Sequence, residues 1–344
     1  MVAEEAADRL VAELCAGWAE IPVRERLRYV HDLLDQVIQG AAALDMSNPA
    51  HTAPAPAVRP LFIELDQGRT LTGPGPWSPN PVAFATMLAD CRLLAAEDHL
   101  RGLRAVLADG SAMQAALSMS RAVLEAAARA WWLLDPGIDA RTRVARGMTE
   151  RLTELSQRIR SGGQLKGPCI RAAVQEQATI LAGARQHRFP VIAKGVTAVV
   201  GERPPTSSEL VRRMLCDPDL PGGQLGRLVY AELSSAVHGR LEGRTWRREW
   251  QMLGRPLRLG EEDLQVVVWA ACCAISGYSE ARGRHSLLYG LDHGRWERAT
   301  NPPQDSLTLV LLLAGLEQQR THRLADRPRA GPPGDASDGQ GASV

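Results

Sequence analysis

Leu27, Val30, Leu33, Leu34 and Val37 recur at steps of three and four, which makes one face of a helix over residues 22–45 apolar. Pro22 stands at its first turn, where a missing N–H is no loss. The same periodicity predicts helices at 2–19, 81–108, 111–135, 138–161, 168–188, 223–238, 261–284 and 304–324. Asp109-Gly110, Pro136 and Gly162-Gly163 stop three of them. Asn80 is placed to cap the helix that Pro81 opens. Thr206-Ser-Ser-Glu209 has the spacing of a capping box and predicts a short helix to Cys216. Phe189 to Val200 holds several β-branched residues and reads as a hairpin or a loop.

Three stretches break the pattern. Residues 46–80 carry His51-Thr-Ala-Pro-Ala-Pro and Gly73-Pro-Gly-Pro-Trp-Ser-Pro, which cannot continue a helix. A short strand is expected there at Leu61 to Leu65, and Leu61, Phe62, Ile63, Leu65 and Trp77 are apolar enough to dock the stretch on the body. Residues 239–259 are arginine-rich and irregular, with a small hairpin as one reading. From Arg327 onward Pro, Gly, Asp and Ser dominate, a composition that does not order itself. The expectation is an all-α fold, a multi-helix bundle. Its parts are an N-terminal helical hairpin (1–45), a Pro/Gly-rich connector (46–80), a main helical domain (81–324) and a disordered C-terminal tail (325–344).

Composition narrows the class. A chain of 344 residues can bury a core without disulfides or metals, and aromatics at 4% leave that core to Leu, Val and Ala. A net charge of +1 creates no global field toward nucleic acid or an anionic membrane. Lys166 and Lys194 are the only lysines among 40 basic residues, so the cationic chemistry is guanidinium chemistry. The six cysteines form no C-x-x-C pair, which argues against zinc or redox work, and scattered in apolar helices they read as small buried hydrophobes. Met1 to Asp8 is acidic, without the layout of a signal peptide, and no apolar run reaches the ~18 residues of a membrane span. A cytoplasmic protein with no membrane partner, no metal and no cofactor is the expectation.

Motifs of familiar chemistry are missing. There is no G-x-x-x-x-G-K-[ST] loop, no G-x-G-x-x-G, no H-E-x-x-H, no E-x-x-H and no S-x-x-K. Gly277-Tyr-Ser-Glu-Ala281 only grazes a nucleophile elbow, and it falls inside a predicted helix.

Two polar rows remain on otherwise apolar helices. Arg121, Glu125 and Arg129 lie four apart and share a face. They read either as an ordinary ion-pair ladder or as an Arg–Glu–Arg set that holds a pocket open for an anion. Tyr230, Ser234 and His238 lie four apart on the next row, with Gly239 fitting a left-handed helix stop. A histidine at a helix C-terminus can act as acid or base, or it can be a satisfied core residue. The two rows offer each other partners that neither finds on its own helix, so their helices are expected to pack together. Further on, Arg240, Arg244, Arg247, Arg248, Arg255 and Arg258 surround Trp246 and Trp250, a mixture that suits phosphates and bases. Glu242 and Glu249 weaken its field, and a solvated loop with two anchored tryptophans is the plainer reading. Asp98-His99 and Asp292-His293 are isolated pairs, His99 read as a solvated helix residue and His293 as a loop residue.

The chain resembles a group of uncharacterised actinobacterial helical proteins. The likeness rests on Arg121-x-x-x-Glu125 before Trp132-Leu-Leu-Asp-Pro136, then Arg141, Arg143 and Arg146, then Tyr230-x-x-x-Ser234-x-x-x-His238-Gly239. It spans about residues 85–285 and carries no activity with it. A fainter similarity is to HEPN-type helical domains, some of which are metal-independent ribonucleases with an R-x(4–6)-H motif. Here Arg227 is the arginine preceding His238, and it is too far away to form that motif.

The resulting expectation is a helical ligand- or nucleic-acid-binding protein of HEPN-like type, with hydrolysis as a candidate activity. His238, Ser234, Tyr230 and Glu125 would be catalytic. Arg121, Arg129, Arg227 and Arg240 would hold RNA, a nucleotide or another anion, and a homodimer is a candidate assembly. Two alternatives stand beside it: a non-enzymatic scaffold or regulatory partner, and a small-molecule tailoring enzyme on a helical bundle.

Overall fold

Ala, Leu and Val surround the helix Met113–Leu133 so completely that ten of its residues are buried. A helix apolar on more than one face must be enclosed by other helices. The computed structural model describes residues 21–43, 81–109, 112–162, 167–194, 197–215, 230–231, 233–234 and 261–289. Among them, in chain order, α1 is Val23–Ala43, α2 Pro81–Asp109, α3 Met113–Leu133, α4 Ala140–Gly162 and α5 Pro168–Gln186. The strands β1 (Val191–Lys194) and β2 (Thr197–Val200) follow, then α6 (Ser207–Met214) and α7 (Glu261–Tyr289). Residues 230–231 and 233–234 are also helical. The fold is all-α, as expected.

α3 is the hub. It packs on α2, on α7 and on α6, while α1 lies across α2 and α7. α4 packs on α2 and β2, and α5 covers α4 from outside. The amphipathic reading of α1 holds: Val30, Leu33, Leu34 and Val37 are buried, and Leu27 packs against the core from its edge. α2 and α4 approach very closely at Gly147, where a Cβ would sit 2.7 Å from the Ala85 Cβ.

Phe189 to Val200 resolves as a hairpin. β1 and β2 pair antiparallel, with Val191 opposite Val200 and Lys194 opposite Thr197. Thr149 pins β2 to α4: its hydroxyl donates to the Val200 carbonyl at 2.9 Å and accepts from the Val200 N–H at 2.9 Å. Gly201 follows at φ 76°, a left-handed conformation that suits glycine, close against Ala145.

Several expectations need correction. α7 runs to Tyr289 and not to 284, because Arg282, His285 and Ser286 are buried helix residues rather than a polar end. The capping box forms only in half. The Thr206 hydroxyl accepts from the Glu209 N–H at 3.3 Å, but the Glu209 carboxylate turns to Arg212 and Arg213. Cys272 and Cys273 are buried as expected, whereas Cys91 and Cys169 are exposed. His99 is half-buried rather than solvated. The expected helices at 2–19 and 304–324, the connector and its strand, the Asn80 cap, the 239–259 stretch, His293 and the tail lie outside the described residues.

Candidate functional site

Arg121 and Glu125 are one turn apart on α3, and the turn brings their charged ends together. The Arg121 Nε donates to Glu125 Oε1 at 2.7 Å. The same carboxylate oxygen accepts from the Tyr230 hydroxyl at 2.9 Å, across 105 residues of sequence. Arg121 Nη2 donates to the Tyr230 oxygen at 3.2 Å, which closes a triangle. The guanidinium carbon lies 5.1 Å from the centre of the Tyr230 ring, within cation–π range. Ser234, one turn on from Tyr230, is half-buried. His238, Arg227 and Arg240 lie outside the described residues.

The electrostatics follow from this closure. Burial pushes the Tyr230 phenol above its ordinary pKa, and the hydrogen bond to the Glu125 carboxylate adds to the effect, while Arg121 opposes it. The phenol is therefore a firm donor. Burial works against the charge of Arg121, but the hydrogen bond and charge of Glu125, with Tyr230 behind them, hold its pKa above the ordinary value. One guanidinium nitrogen, Nη1, is buried and has no hydrogen-bond partner.

Arg129 does not complete the row. It turns away from Glu125 and reaches the buried Glu150 of α4 with Nη1 at 2.5 Å and the Ser207 hydroxyl with Nη2 at 3.3 Å. Glu150 also lies 3.6 Å from Arg92, and Arg92 donates to Glu154 at 2.5 Å. Arg151 continues the chain, 3.1 Å from Glu154 and bound to both oxygens of Glu176 at 2.6 and 2.9 Å. Three arginines and three glutamates thus alternate across α3, α4, α2 and α5. The assignment of Arg129 to an anionic ligand is corrected accordingly, since its charge is already matched inside the protein.

The arginines after Trp132-Leu-Leu-Asp-Pro136 have a structural task as well. The last carbonyls of a helix carry its negative dipole end and lack partners within the helix. Arg143 donates to the carbonyls of Leu133 and, at 2.8 Å, of Asp135. Arg146 donates to the Trp132 carbonyl at 2.7 Å and to Glu202 at 2.5 Å. Arg284 of α7 donates to the Trp131 carbonyl at 3.3 Å and stacks 3.7 Å over the Trp131 ring. Arg141 does the same for the end of α5, donating to the carbonyls of His187 and Arg188 at 2.7 and 2.9 Å. Burial brings the Arg143 pKa down to about 10.

Sequence reasoning missed Glu150 and Arg92. Glu150 and Glu154 stand four apart, the same spacing that singled out Arg121 and Glu125, and that signal was available. Asp90 and His285 were missed too. They approach to 3.0 Å between α2 and α7, with His285 almost fully buried, and nothing in their separate helices marks them as partners. Among the described residues no three His, Cys, Asp or Glu side chains are grouped to hold a metal, and no helix is long and apolar enough to cross a membrane. Comparison with family models, curated proteins and solved structures finds no match for this chain.

Proposed function

We propose that this is a helical binding protein that takes an anionic ligand where Tyr230 meets Arg121 and Glu125. One observation carries the reading. Arg121 keeps a guanidinium nitrogen without a partner beside a carboxylate and a phenol that are only partly covered. A cation with an unmet donor is expensive to keep at about 1–3 kcal/mol, and a ligand oxygen would satisfy it. Nη1 is shielded, so ligand entry requires a shift of neighbouring side chains. Glu125 neutralises much of the Arg121 charge, so the remaining attraction for an anion rests on Arg227 and Arg240. Ser234 and His238 follow Tyr230 at helical spacing and would extend the site as hydroxyl and acid–base group. A nucleotide or an RNA phosphate is the ligand class, with hydrolysis assigned to His238.

The scaffold reading draws on a different observation, the internal pairing of Arg129, Arg143 and Arg146. The two separate in one experiment. Thermal unfolding of the full chain is followed with and without a panel of ribonucleotides and short RNA, beside Arg121→Ala and Tyr230→Phe. The binding reading expects a ligand-dependent rise in Tm that both variants abolish. The scaffold reading expects lower Tm in both variants and no ligand effect in any protein.

A further inference from the structure

α2 turns an apolar stripe outward. Ala83, Met87, Cys91 and Leu94 recur at steps of three and four along its exposed side, with Met87 50% and Leu94 53% accessible. The opposite side of the same helix, Val82, Ala85, Ala89, Leu93, Ala96, Leu100 and Leu103, is already buried in the core. α2 therefore has two apolar faces and partners for one. Beyond Leu94 the outer face becomes charged. Asp98 is exposed and makes no ion pair, whereas Arg101 is neutralised by Glu97 at 2.5 Å.

We propose that the outer face of α2 pairs with the α2 of a second copy of this chain, antiparallel, with Cys91 at the two-fold axis. The stripe is self-complementary only in that register. Turning one α2 end for end about Cys91 sets Met87 beside the Leu94 turn of the other copy, and an isologous contact of this kind closes on itself. It also sets Asp98 beside the first turn of the opposite helix. That turn contains no acidic residue, and its exposed dipole end favours a carboxylate. Shifting the axis toward Leu94 would instead lay Asp98 against Met87. A single helix pair falls short of the ~800 Å² per partner of a standard stable interface, so the dimer is weak and concentration-dependent. This surface is separate from the Arg121 cluster on α3 and does not depend on the binding proposal.

The test uses the full chain. Sedimentation over a range of concentrations is expected to move from the mass of one chain to that of two. Mild oxidation of the concentrated protein is expected to give a Cys91–Cys91 disulfide by peptide mass spectrometry, with exposed Cys169 left reduced as an internal control. Leu94→Glu should hold the protein at the single-chain mass, with an unchanged Tm because the side chain is exposed. Cys91→Ser should abolish the cross-link and leave the dimer intact. A single-chain mass at every concentration overturns the proposal. So does a dimer that Leu94→Glu leaves alone, or cross-linking through Cys169. Slow alkylation of Cys91 in a monomer would also overturn it, by showing that another part of the same chain covers the stripe.

Discussion

Arg129 of α3 holds the carboxylate of Glu150 at 2.5 Å, and Glu150 is only 3% exposed. A carboxylate at that depth is tolerated because guanidinium groups from two other helices converge on it, Arg129 from α3 and Arg92 from α2. The pair therefore couples three helices at one point. Such a contact is weak evidence of net stabilisation, since removing both charges from water is costly in itself. Removing one partner alone is a different matter.

Glu150→Ala leaves Arg129 part-buried without its anion and opens a gap between α2, α3 and α4. Breaking a buried pair from one side destabilises by ~3–5 kcal/mol. Urea unfolding should show a midpoint lowered accordingly. Glu150→Gln, which keeps the volume and one acceptor, should lose clearly less. Equal losses for the two substitutions would mean that packing, and not the ion pair, dominates here.

Gly147 and Gly277 look alike in the sequence, and the structure sets them apart. A methyl at Gly147 would meet Ala85, at 2.7 Å from its Cβ and 2.9 Å from its Cα. Backbone cannot step aside, so α2 and α4 must separate. A methyl at Gly277 would meet Met214 Cε at 2.6 Å and Leu124 Cδ2 at 2.9 Å, the ends of flexible side chains. Replacing a helical glycine by alanine is worth up to ~1 kcal/mol in propensity, and overpacking costs ~1–3 kcal/mol. Gly147→Ala should therefore be clearly destabilising and Gly277→Ala close to neutral in thermal unfolding. The reverse order would contradict the packing described for α2 and α4.

The helices were legible where burial follows one period. In α1 the apolar positions alone mark the buried face, and Thr206 marks a helix start through chemistry that is local. Arg282, Arg284 and His285 show where this breaks down. Polar residues usually end an apolar run, so α7 read as finished at 284, yet these three side chains are answered by Ala41, Trp131 and Asp90 from other helices. The candidate site divides in the same way. The Arg121–Glu125 contact is an i,i+4 pair and can be read from one helix. The fate of Arg129 depends on Glu150, whose carboxylate faces α3 only once α4 has packed. Tyr230 lies between these cases, because its meeting with Glu125 follows from complementary needs of two rows rather than from spacing within either.

Tyr230 gives the last prediction. Its hydroxyl donates to Glu125, and its pKa stands above the ordinary 10 because burial, and then the neighbouring carboxylate, disfavour the phenolate. The folded chain thus keeps this proton at a pH where the unfolded chain has begun to lose it. Stability falls with rising pH wherever the folded state binds more protons. The contribution of Tyr230 is accordingly complete below the unfolded value and fades as pH climbs through the raised folded one. Tyr230→Phe removes the hydrogen bond and should lower stability by about 1 kcal/mol at neutral pH. The difference between wild type and variant should then shrink as urea unfolding is repeated at increasingly alkaline pH. A difference that stays constant, or grows, would mean that the phenol is not held between Glu125 and Arg121 in solution. An ultraviolet titration offers an independent check, since the variant should lack one of the phenols that ionise late in the wild-type protein.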